Sequence, residues 1–520
     1  MGVIARQSIR GTIVTYIGVA VGFVTTFFVI TRFLTAEEIG LARVLIDAAT
    51  LFIGLAQLGT NASIIRFYPY IASGQQSAIS NQQSAVSNQQ SAVSNQKSDD
   101  HGFFFWTMVV PLVGFLLIGL VFIACYAPLS RWFGEKSPLF VNYYYLVLPM
   151  ALCMLYQTVF ETNANVRMHI VVPRAVRELL TRVGLLVVYV LYAFDVLSMD
   201  GFVWALVGVY ALAALCNAAY LFSLGGISLR PDFGFLRQNK PLVRKYVLYT
   251  AFLIVSAVAS VLAPTLSSFF ITAQMGLNYT GIFAIATYMA VMVSIPQRSL
   301  TAIASPQLAR AIKNNNTDEV HTLVAQVSSN LLLIGGLILA AIWVNIDLIF
   351  AILPNGTTYA AARQTVLLLG IGQLLAATFQ FAFTTLNYSR FYPLTLLFSA
   401  VLTVLALVLN NRFIPRWGMD GAALAGLVAQ AVYFCLIVLT IRLTLGCRMI
   451  TRKHLIILLL LLAVFALNAL CLRILPPISI WWSSLLRSLL LVVAALAAYR
   501  MKVSPELNEQ IHALFHRVRL

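Results

Sequence analysis

The stretch that decides the fold is GVAVGFVTTFFVITRFLTAEEIGLARVLIDAATLFIGLAQLGTNASIIRFYPY, residues 18–70. It holds two apolar segments that a short polar turn, TAEE, separates. Each segment approaches or exceeds the roughly 20 residues that a helix needs to cross the hydrocarbon core of a bilayer. Similar segments follow nearly to the C-terminus of a 520-residue chain that is 60% hydrophobic and only 10% charged. Soluble domains contain about 25% charged residues, so the sequence predicts an all-α polytopic membrane protein.

The apolar segments predict about 14 transmembrane helices. The predicted spans are 9–32, 39–65, 103–127, 141–161, 173–194, 201–224, 246–275, 279–305, 320–346, 363–386, 391–412, 420–441, 453–475 and 479–499.

The basic residues are distributed unevenly between the two sides that these spans define. With the N-terminus in the cytoplasm, 25 of the 34 Lys and Arg residues fall on the cytoplasmic side and 7 on the outer side, while Arg43 and Arg487 lie within spans. Cytoplasmic loops of membrane proteins carry an excess of Lys and Arg, so we expect both termini in the cytoplasm. Membrane topology also accounts for the net charge of +17, and we expect no nucleic-acid partner.

The sequence contains little that suggests catalysis or metal binding. Its 6 cysteines lie in or beside apolar spans without a CxxC pair, and P-loop, GxSxG and paired metal-ligand motifs are absent. Asp195 and Asp200 share an outer loop, where a helix-capping role for Asp200 is favoured over acid catalysis. We therefore expect neither an enzyme nor a cofactor.

The two halves of the chain resemble each other at three places in the same order. Phe27, Phe28, Thr31 and Gly40 recur as Phe269, Phe270, Thr272 and Gly281; Gln157, Phe160, Thr162 and Arg167 recur as Gln380, Phe383, Thr385 and Arg390; and Met199-Asp200-Gly201 recurs as Met419-Asp420-Gly421. A repeat of six spans keeps its orientation in the membrane, so the sequence predicts two parallel six-helix repeats plus two extra C-terminal helices.

This repeat divides the chain into five regions. They are an N-lobe at 1–224, a cytoplasmic linker at 225–245, a C-lobe at 246–447, spans 13 and 14 within 448–500, and a cytoplasmic tail at 501–520.

The N-lobe carries a polar insertion at 75–98, built on a seven-residue unit that occurs three times between Ser77 and Lys97. Its apolar residues are adjacent rather than three or four apart, which is not the spacing of a coiled coil. We interpret it as a tolerated insertion, with contact to a partner protein as the alternative.

Charged side chains inside spans are the candidate site, because they usually face a protein interior or a wet cavity. Arg43 and Asp47 are four residues apart in span 2 and so share a helix face. Arg66 ends the same span, and Arg298 follows Pro296 in span 8. As alternatives, Arg43 and Asp47 neutralise each other, and Arg66 and Arg298 extend to the membrane surface. Glu161 has an interfacial position, with a proton-carrier role as the alternative.

Residues 18–70 resemble the first hairpin of polysaccharide (O-antigen type) flippases, which belong to the multidrug/oligosaccharidyl-lipid/polysaccharide exporter superfamily. The features are RFLTAEEIGLARV after the first span and GTNASIIRFYP at the end of the second. RWGMDGAALAGLVAQAVYF, residues 416–434, resembles the twelfth span of that family. With the repeat and the two added spans, the resemblance covers almost the whole chain.

The resemblance implies two six-helix lobes around a central cavity that opens alternately to each side of a bacterial inner membrane. It implies a substrate in which an oligosaccharide is linked to a polyprenyl pyrophosphate. Arg43, Asp47, Arg66 and Arg298 are then the substrate-binding candidates, and spans 13 and 14 resemble the helices that form a lipid-tail groove in related flippases. Membrane lipids, a coupling ion (H⁺ or Na⁺) and other polysaccharide-assembly proteins are the candidate partners. One departure is that basic residues are sparse inside the second lobe.

Two other functions remain open. A cation-coupled drug antiporter of the same superfamily normally has twelve spans and an acid deep in the first lobe, for which Asp47 is the candidate here. A membrane polysaccharide polymerase or ligase normally has a large outer loop with catalytic residues, and the predicted outer loops of this chain are short.

Overall fold

The chain folds into helices joined by turns, as a computed structural model shows. The structure describes residues 14–15, 17–61, 63–65, 68, 102–167, 169–225, 227, 231, 244, 265–314, 316–447, 449–474 and 479–500. These residues contain no strand, which confirms the all-α prediction. The polar insertion at 75–98, the tail at 501–520, most of the linker at 225–245 and the first part of span 7 lie outside the described residues.

The chain divides into two compact units, residues 1–281 and residues 282–520. The lobe boundary inferred from the repeat stays a prediction. The helices of the first unit are α1 (Ile17–Phe33), α2 (Ala36–Ala56), α3 (Phe103–Ala124), α4 (Tyr126–Gly134), α5 (Pro138–Asn142), α6 (Tyr144–Val166), α7 (Val171–Ala175), α8 (Thr181–Ala193), α9 (Met199–Ser223) and α10 (265–274). Two π-helical turns interrupt this series, Thr25–Ile30 within α1 and Val176–Leu180 between α7 and α8.

Helix α11 (Leu277–Val291) begins in the first unit and continues into the second. The further helices are α12 (Ile295–Lys313), α13 (Thr317–Val344), α14 (Ile346–Ile352), α15 (Gly356–Tyr359), α16 (Arg363–Tyr388), α17 (Pro393–Leu445), α18 (Arg452–Ile474) and α19 (Ile480–Arg500). Short 3₁₀ turns, Met292–Ser294 and Ala360–Ala362, join α11 to α12 and α15 to α16.

Ten stretches of the described chain are helical, long and apolar enough to cross a membrane, and α1 is a shorter apolar helix. The protein is therefore a multi-span membrane protein. The predicted spans 11 and 12 correspond largely to α17, a segment of 53 residues that consists of two helices joined at a kink. The kink is at Gly418, with φ 57° and ψ −133°, a backbone conformation that glycine adopts far more readily than other residues. The exact number of 14 spans stays a prediction.

The polar turn of the opening stretch forms the N-terminus of α2. The Thr35 hydroxyl accepts a hydrogen bond from the Glu38 amide, and the Glu38 carboxylate accepts one from the Thr35 amide at 2.8 Å. This reciprocal arrangement is a capping box, which satisfies two amides that a helix start leaves unpaired. The TAEE sequence thus ends the first apolar segment and begins the second.

Matching hydrogen bonds in the two units support the internal repeat. In the first unit, the Tyr143 hydroxyl beside the start of α6 donates to Asp200, the acid of the first Met-Asp-Gly sequence. In the second unit, the Thr365 hydroxyl near the start of α16 donates to Asp420, the acid of the second Met-Asp-Gly sequence, at 2.6 Å. The helix-capping role expected of Asp200 is wrong, because Ser198 caps α9 by accepting from the Gly201 amide.

Two glycines that the repeat pairs, Gly40 and Gly281, lie against each other in the first unit. A Cβ on Gly40 would lie 1.9 Å from the Leu277 carbonyl oxygen, and a Cβ on Gly281 would lie 1.9 Å from the Ala36 carbonyl oxygen. Gly40 therefore lies against the residue one turn before Gly281, and Gly281 lies against the residue one turn before Gly40. Glycine permits this close approach of the two helices, because it has no side chain to keep the backbones apart.

Candidate functional site

Arg43 and Asp47 form an ion pair on α2. The Arg43 Nε donates to Asp47 Oδ2 at 2.8 Å, which confirms that the two side chains share a helix face. Asp47 is 6% exposed, whereas 24% of the Arg43 side chain is accessible. The pair therefore presents its cation, rather than its anion, toward the accessible surface of the first unit.

The structure describes only one of the other two predicted site residues. Arg66 lies outside the described residues. Arg298 belongs to the second unit, on α12, where its side chain is exposed. Among the four predicted residues, the described structure shows a contact between Arg43 and Asp47, and a common site for all four stays a prediction.

A second charged cluster of the first unit was not predicted as a site. Arg177, on the π-helical turn, donates from Nη1 to Glu161 Oε1 on α6 at 2.8 Å. Its Nε lies 3.4 Å from Glu178 Oε1. Glu178 in turn accepts from Arg182 Nη2 on α8 at 3.0 Å. The four side chains form one chain of alternating charge, which we call the 161–182 cluster.

Small residues on α1 make room for this cluster. A Cβ on Gly18 would lie 2.5 Å from the Glu178 carbonyl oxygen, and a Cβ on Gly22 would lie 2.3 Å from Arg182 Nη1. The Arg182 guanidinium also donates to the Gly18 carbonyl oxygen at 3.0 Å. Gly18 and Gly22 are four residues apart, the spacing that lets two membrane helices approach closely. They place the backbone of α1 directly against Glu178 and Arg182.

The exposure of the cluster suggests where a ligand can bind. Glu161 and Glu178 are buried, at 6% and 7% exposure, while 47% of the Arg177 side chain is accessible. The buried carboxylates are held by arginines, as burial of charge in a membrane protein requires. Arg177 is thus the accessible member, and an anion that approaches it competes with Glu161 and Glu178.

The signal for this cluster was present in the sequence but ambiguous. The stretch RAVRELLTR, residues 174–182, lies at the start of the predicted span 5, where Arg residues are ordinary features of the cytoplasmic side. The π-helical turn Val176–Leu180 holds Arg177 and Glu178, and such turns often occur at functional sites. Nothing in the local sequence links these residues to Glu161, whose position near the end of span 4 predicted an interfacial side chain.

The described side chains do not suggest a metal site. Among the described residues, no three His, Cys, Asp or Glu side chains are grouped as metal ligands. Within the described parts of the first unit, the Arg43–Asp47 pair and the 161–182 cluster offer guanidinium groups whose charge suits a phosphate or another anion.

Comparison with known sequences identifies the family. A sequence model of the polysaccharide biosynthesis protein family matches residues 4–310, more than half of the chain. The chain belongs to this family. A search of curated proteins found no match.

Solved structures show the same fold in membrane transporters. The lipid II flippase MurJ, in an inward closed conformation, matches with a TM-score of 0.64 at 11% identity, over 95% of this chain and 99% of the flippase. An inward-facing MATE multidrug resistance transporter of the MOP superfamily matches with a TM-score of 0.58 at 14% identity, over 85% and 98% of the two chains. A mutant of VcmN, a MATE transporter from Vibrio cholerae, matches with a TM-score of 0.57 at 14% identity over the same shares. Together with the family match, the shared fold confirms the resemblance to this superfamily.

Proposed function

We propose that the protein flips a polyprenyl-pyrophosphate-linked oligosaccharide from the cytoplasmic to the outer leaflet of a bacterial inner membrane by alternating access. The oligosaccharide would be the repeat unit of an O-antigen, a capsule or an exopolysaccharide. The observation that carries the proposal is the family match over residues 4–310, because the family is described as polysaccharide biosynthesis proteins. The fold adds that the protein spans the membrane many times, as a transporter does.

The charged groups of the first unit fit the polar part of such a substrate. A pyrophosphate cannot cross hydrocarbon unaided, because an isolated charge costs far more free energy there than in water. Arg43 and Arg177 are both partly accessible and both paired with carboxylates. In our proposal Arg43 binds the phosphate through the two-pronged geometry of guanidinium, and its pairing with Asp47 holds the side chain in place between transport cycles.

The C-terminal helices support this function over its main alternative. The match to MurJ covers 95% of the chain, whereas the matches to MATE transporters cover about 85%. Helices α18 and α19 are long and apolar enough to cross the membrane. They carry many exposed leucine side chains, such as Leu459 and Leu489, which suit contact with a lipid tail. The MATE matches favour the alternative, a cation-coupled drug antiporter. However, the transport of a drug does not require a pair of helices that faces lipid.

The test is the location of the lipid-linked glycan in cells that lack the protein. Deletion of the gene is expected to leave the glycan on the cytoplasmic leaflet. An impermeant glycan-oxidising label should then reach it in inside-out membrane vesicles and not in right-side-out vesicles. Normal arrival of the glycan on the outer leaflet, together with new sensitivity of the cells to cationic drugs, would contradict the proposal and favour the antiporter.

A further inference from the structure

Arg487 is a charged residue of α19 that the proposed transport site does not use. It lies two turns after Ile480, where α19 begins, and it is 2% exposed. A charged side chain within a membrane span costs insertion free energy, so such residues usually have partners and a function. The contacts of Arg487 show that its partners are incomplete.

The guanidinium of Arg487 has one good hydrogen bond and one weak ion pair. Its Nε donates to the Ser483 carbonyl oxygen on its own helix at 3.2 Å. Its buried Nη1 lies 3.9 Å from Asp347 Oδ2, which is too long for a hydrogen bond. No acceptor within the described part of the chain bonds to Nη1. One turn earlier on the same face, the buried Ser484 hydroxyl likewise has no partner among the described residues.

The carboxylate nearest to Arg487 is already used by another arginine. Arg363 contacts both oxygens of Asp347, with Nη1 at 3.1 Å from Oδ1 and Nη2 at 3.2 Å from Oδ2. The Arg363 guanidinium also lies over the Trp343 ring, 5.6 Å from its centre, a cation–π contact that helps to hold it. Two guanidinium groups therefore share one carboxylate, and the described residues give them no second carboxylate.

This cluster lies where lipid headgroups are expected. The Ser488 hydroxyl donates to Asn345 Oδ1 at 3.2 Å, which fixes α19 beside the junction of α13 and α14. Trp481 and Trp482, at the start of α19, are exposed, and exposed tryptophans typically mark the level of the headgroups. The side chains of Asp347 and Arg363 are 30% and 43% accessible, so a group at that level can reach these two side chains from the surface.

We propose that Arg487, Arg363 and Ser484 form a binding site for the phosphate of an anionic membrane lipid. Phosphate matches the requirement because it accepts several hydrogen bonds and pairs with guanidinium in a fixed geometry. The lipid source is favoured because α19 exposes a large apolar face beside the cluster. Asp347 competes with the phosphate for both arginines. The proposal concerns a resident lipid, so it does not depend on what the protein transports.

The experiment measures lipid binding to the purified full-length protein in neutral detergent. Phosphatidylglycerol is expected to raise the thermal unfolding temperature, whereas phosphatidylcholine with the same acyl chains is not. Arg487→Gln should bind phosphatidylglycerol roughly tenfold more weakly, the loss of one charged hydrogen bond. The matched control is Arg473→Gln, which removes an exposed arginine from α18 and should respond like the wild type. Equal responses of the two variants would overturn the proposal.

Two further arms keep the test decisive if Arg487→Gln folds poorly. Asp347→Asn removes the competing carboxylate and should tighten phosphatidylglycerol binding, whereas a purely structural ion pair predicts a lower unfolding temperature that the lipid does not restore. The other arm adds inorganic phosphate at millimolar concentration. Stabilisation by inorganic phosphate in the absence of any effect of phosphatidylglycerol would overturn the assignment to a lipid headgroup.

Discussion

At the scale of single residues, the first unit holds its buried acids in pairs with arginines. Asp47, Glu161 and Glu178 are all less than a tenth exposed, and each contacts a guanidinium within 3.0 Å. Pairing of this kind is ambiguous, because a buried ion pair can be structural or can serve a ligand. Mutation of both members of a pair separates the two possibilities.

Arg43 and Asp47 provide the first prediction. We expect Arg43→Ala to reduce glycan export roughly tenfold or more, since a charged hydrogen bond to phosphate contributes about 1.5–3 kcal/mol. The Arg43→Ala, Asp47→Ala double variant should insert into the membrane at normal levels and remain inactive. Arg43→Lys should keep part of the activity, because the charge survives while the two-pronged geometry is lost. The measurement is export in cells, with the amount of membrane-inserted protein determined in parallel.

Recovery of export in the double variant would reduce the pair to a structural role. Removal of a complete buried ion pair is often tolerated, whereas removal of one partner leaves an unpaired charge. A structural role therefore predicts that the double variant recovers export, and a phosphate-binding role predicts that it stays inactive.

Only part of the candidate site could be predicted from the sequence. The Arg43–Asp47 pair could be predicted, because a spacing of four residues on one helix places the two side chains together. The contact between Glu161 and Arg177 could not, because the residues lie on different segments and a π-helical turn sets the direction of Arg177. Helix periodicity predicts which side chains are neighbours on one helix, but it does not predict contacts between two helices.

At the scale of elements, a close helix contact of the first unit depends on glycine. Gly40 on α2 and Gly281 on α11 each face a backbone carbonyl oxygen, which cannot move aside as a flexible side chain can. Gly208 on α9 is the natural control, because a Cβ at that position would meet nothing within 4 Å.

The second prediction follows from this difference. Gly40→Ala and Gly281→Ala should each destabilise the protein by about 1–3 kcal/mol, the usual cost of extra atoms in a packed contact. Gly208→Ala should be neutral or slightly stabilising, since alanine favours helix more than glycine does. Thermal unfolding of the purified variants in detergent measures the effect. Similar unfolding temperatures for Gly40→Ala and Gly208→Ala would contradict the close approach of α2 and α11.

Most elements could be predicted from the sequence, and the exceptions have physical causes. The TAEE turn between the first two spans is confirmed as a capping box, because its threonine and glutamate have the required spacing. The capping role of Asp200 was wrong because Ser198 occupies the cap and Asp200 accepts from a tyrosine on a distant segment. The sharp kink at Gly418 could not be predicted either, since hydropathy separates the apolar segments of spans 11 and 12 but does not give the backbone conformation of RWGMD between them.

At the scale of the whole molecule, the polar insertion should be dispensable. Residues 77–97 lie outside the described residues, so this prediction rests on the sequence. A polar connection between spans 2 and 3 can change its length at little entropic cost. We therefore expect deletion of residues 77–97 to leave membrane insertion and glycan export close to those of the wild type. Normal expression with lost export would instead indicate a contact with a partner protein.

The topology is the fourth prediction. In a variant without native cysteines, Gln90→Cys and Asn508→Cys should resist an impermeant thiol reagent applied from outside, because the charge distribution places both in the cytoplasm. Glu135→Cys should react, since Glu135 is exposed in a predicted outer loop. Ser137→Cys is the matched control in the same loop and should stay unlabelled in the folded protein, because Ser137 is buried and donates to the Thr272 carbonyl oxygen. Labelling of Gln90→Cys from outside would reverse the orientation.

The most direct test of the whole proposal is transport by the purified protein in liposomes. The substrate would be a fluorescent oligosaccharide linked to a polyprenyl pyrophosphate, placed in both leaflets, and a membrane-impermeant reductant would quench the label on the outer leaflet. We predict that the wild-type protein makes nearly all of the label accessible. Empty liposomes and the Arg43→Ala, Asp47→Ala double variant should leave about half of the label protected, because the label is distributed equally between the two leaflets. A wild-type protein that leaves the inner label protected while it exchanges a cationic drug for protons or Na⁺ would contradict the flippase and identify an antiporter.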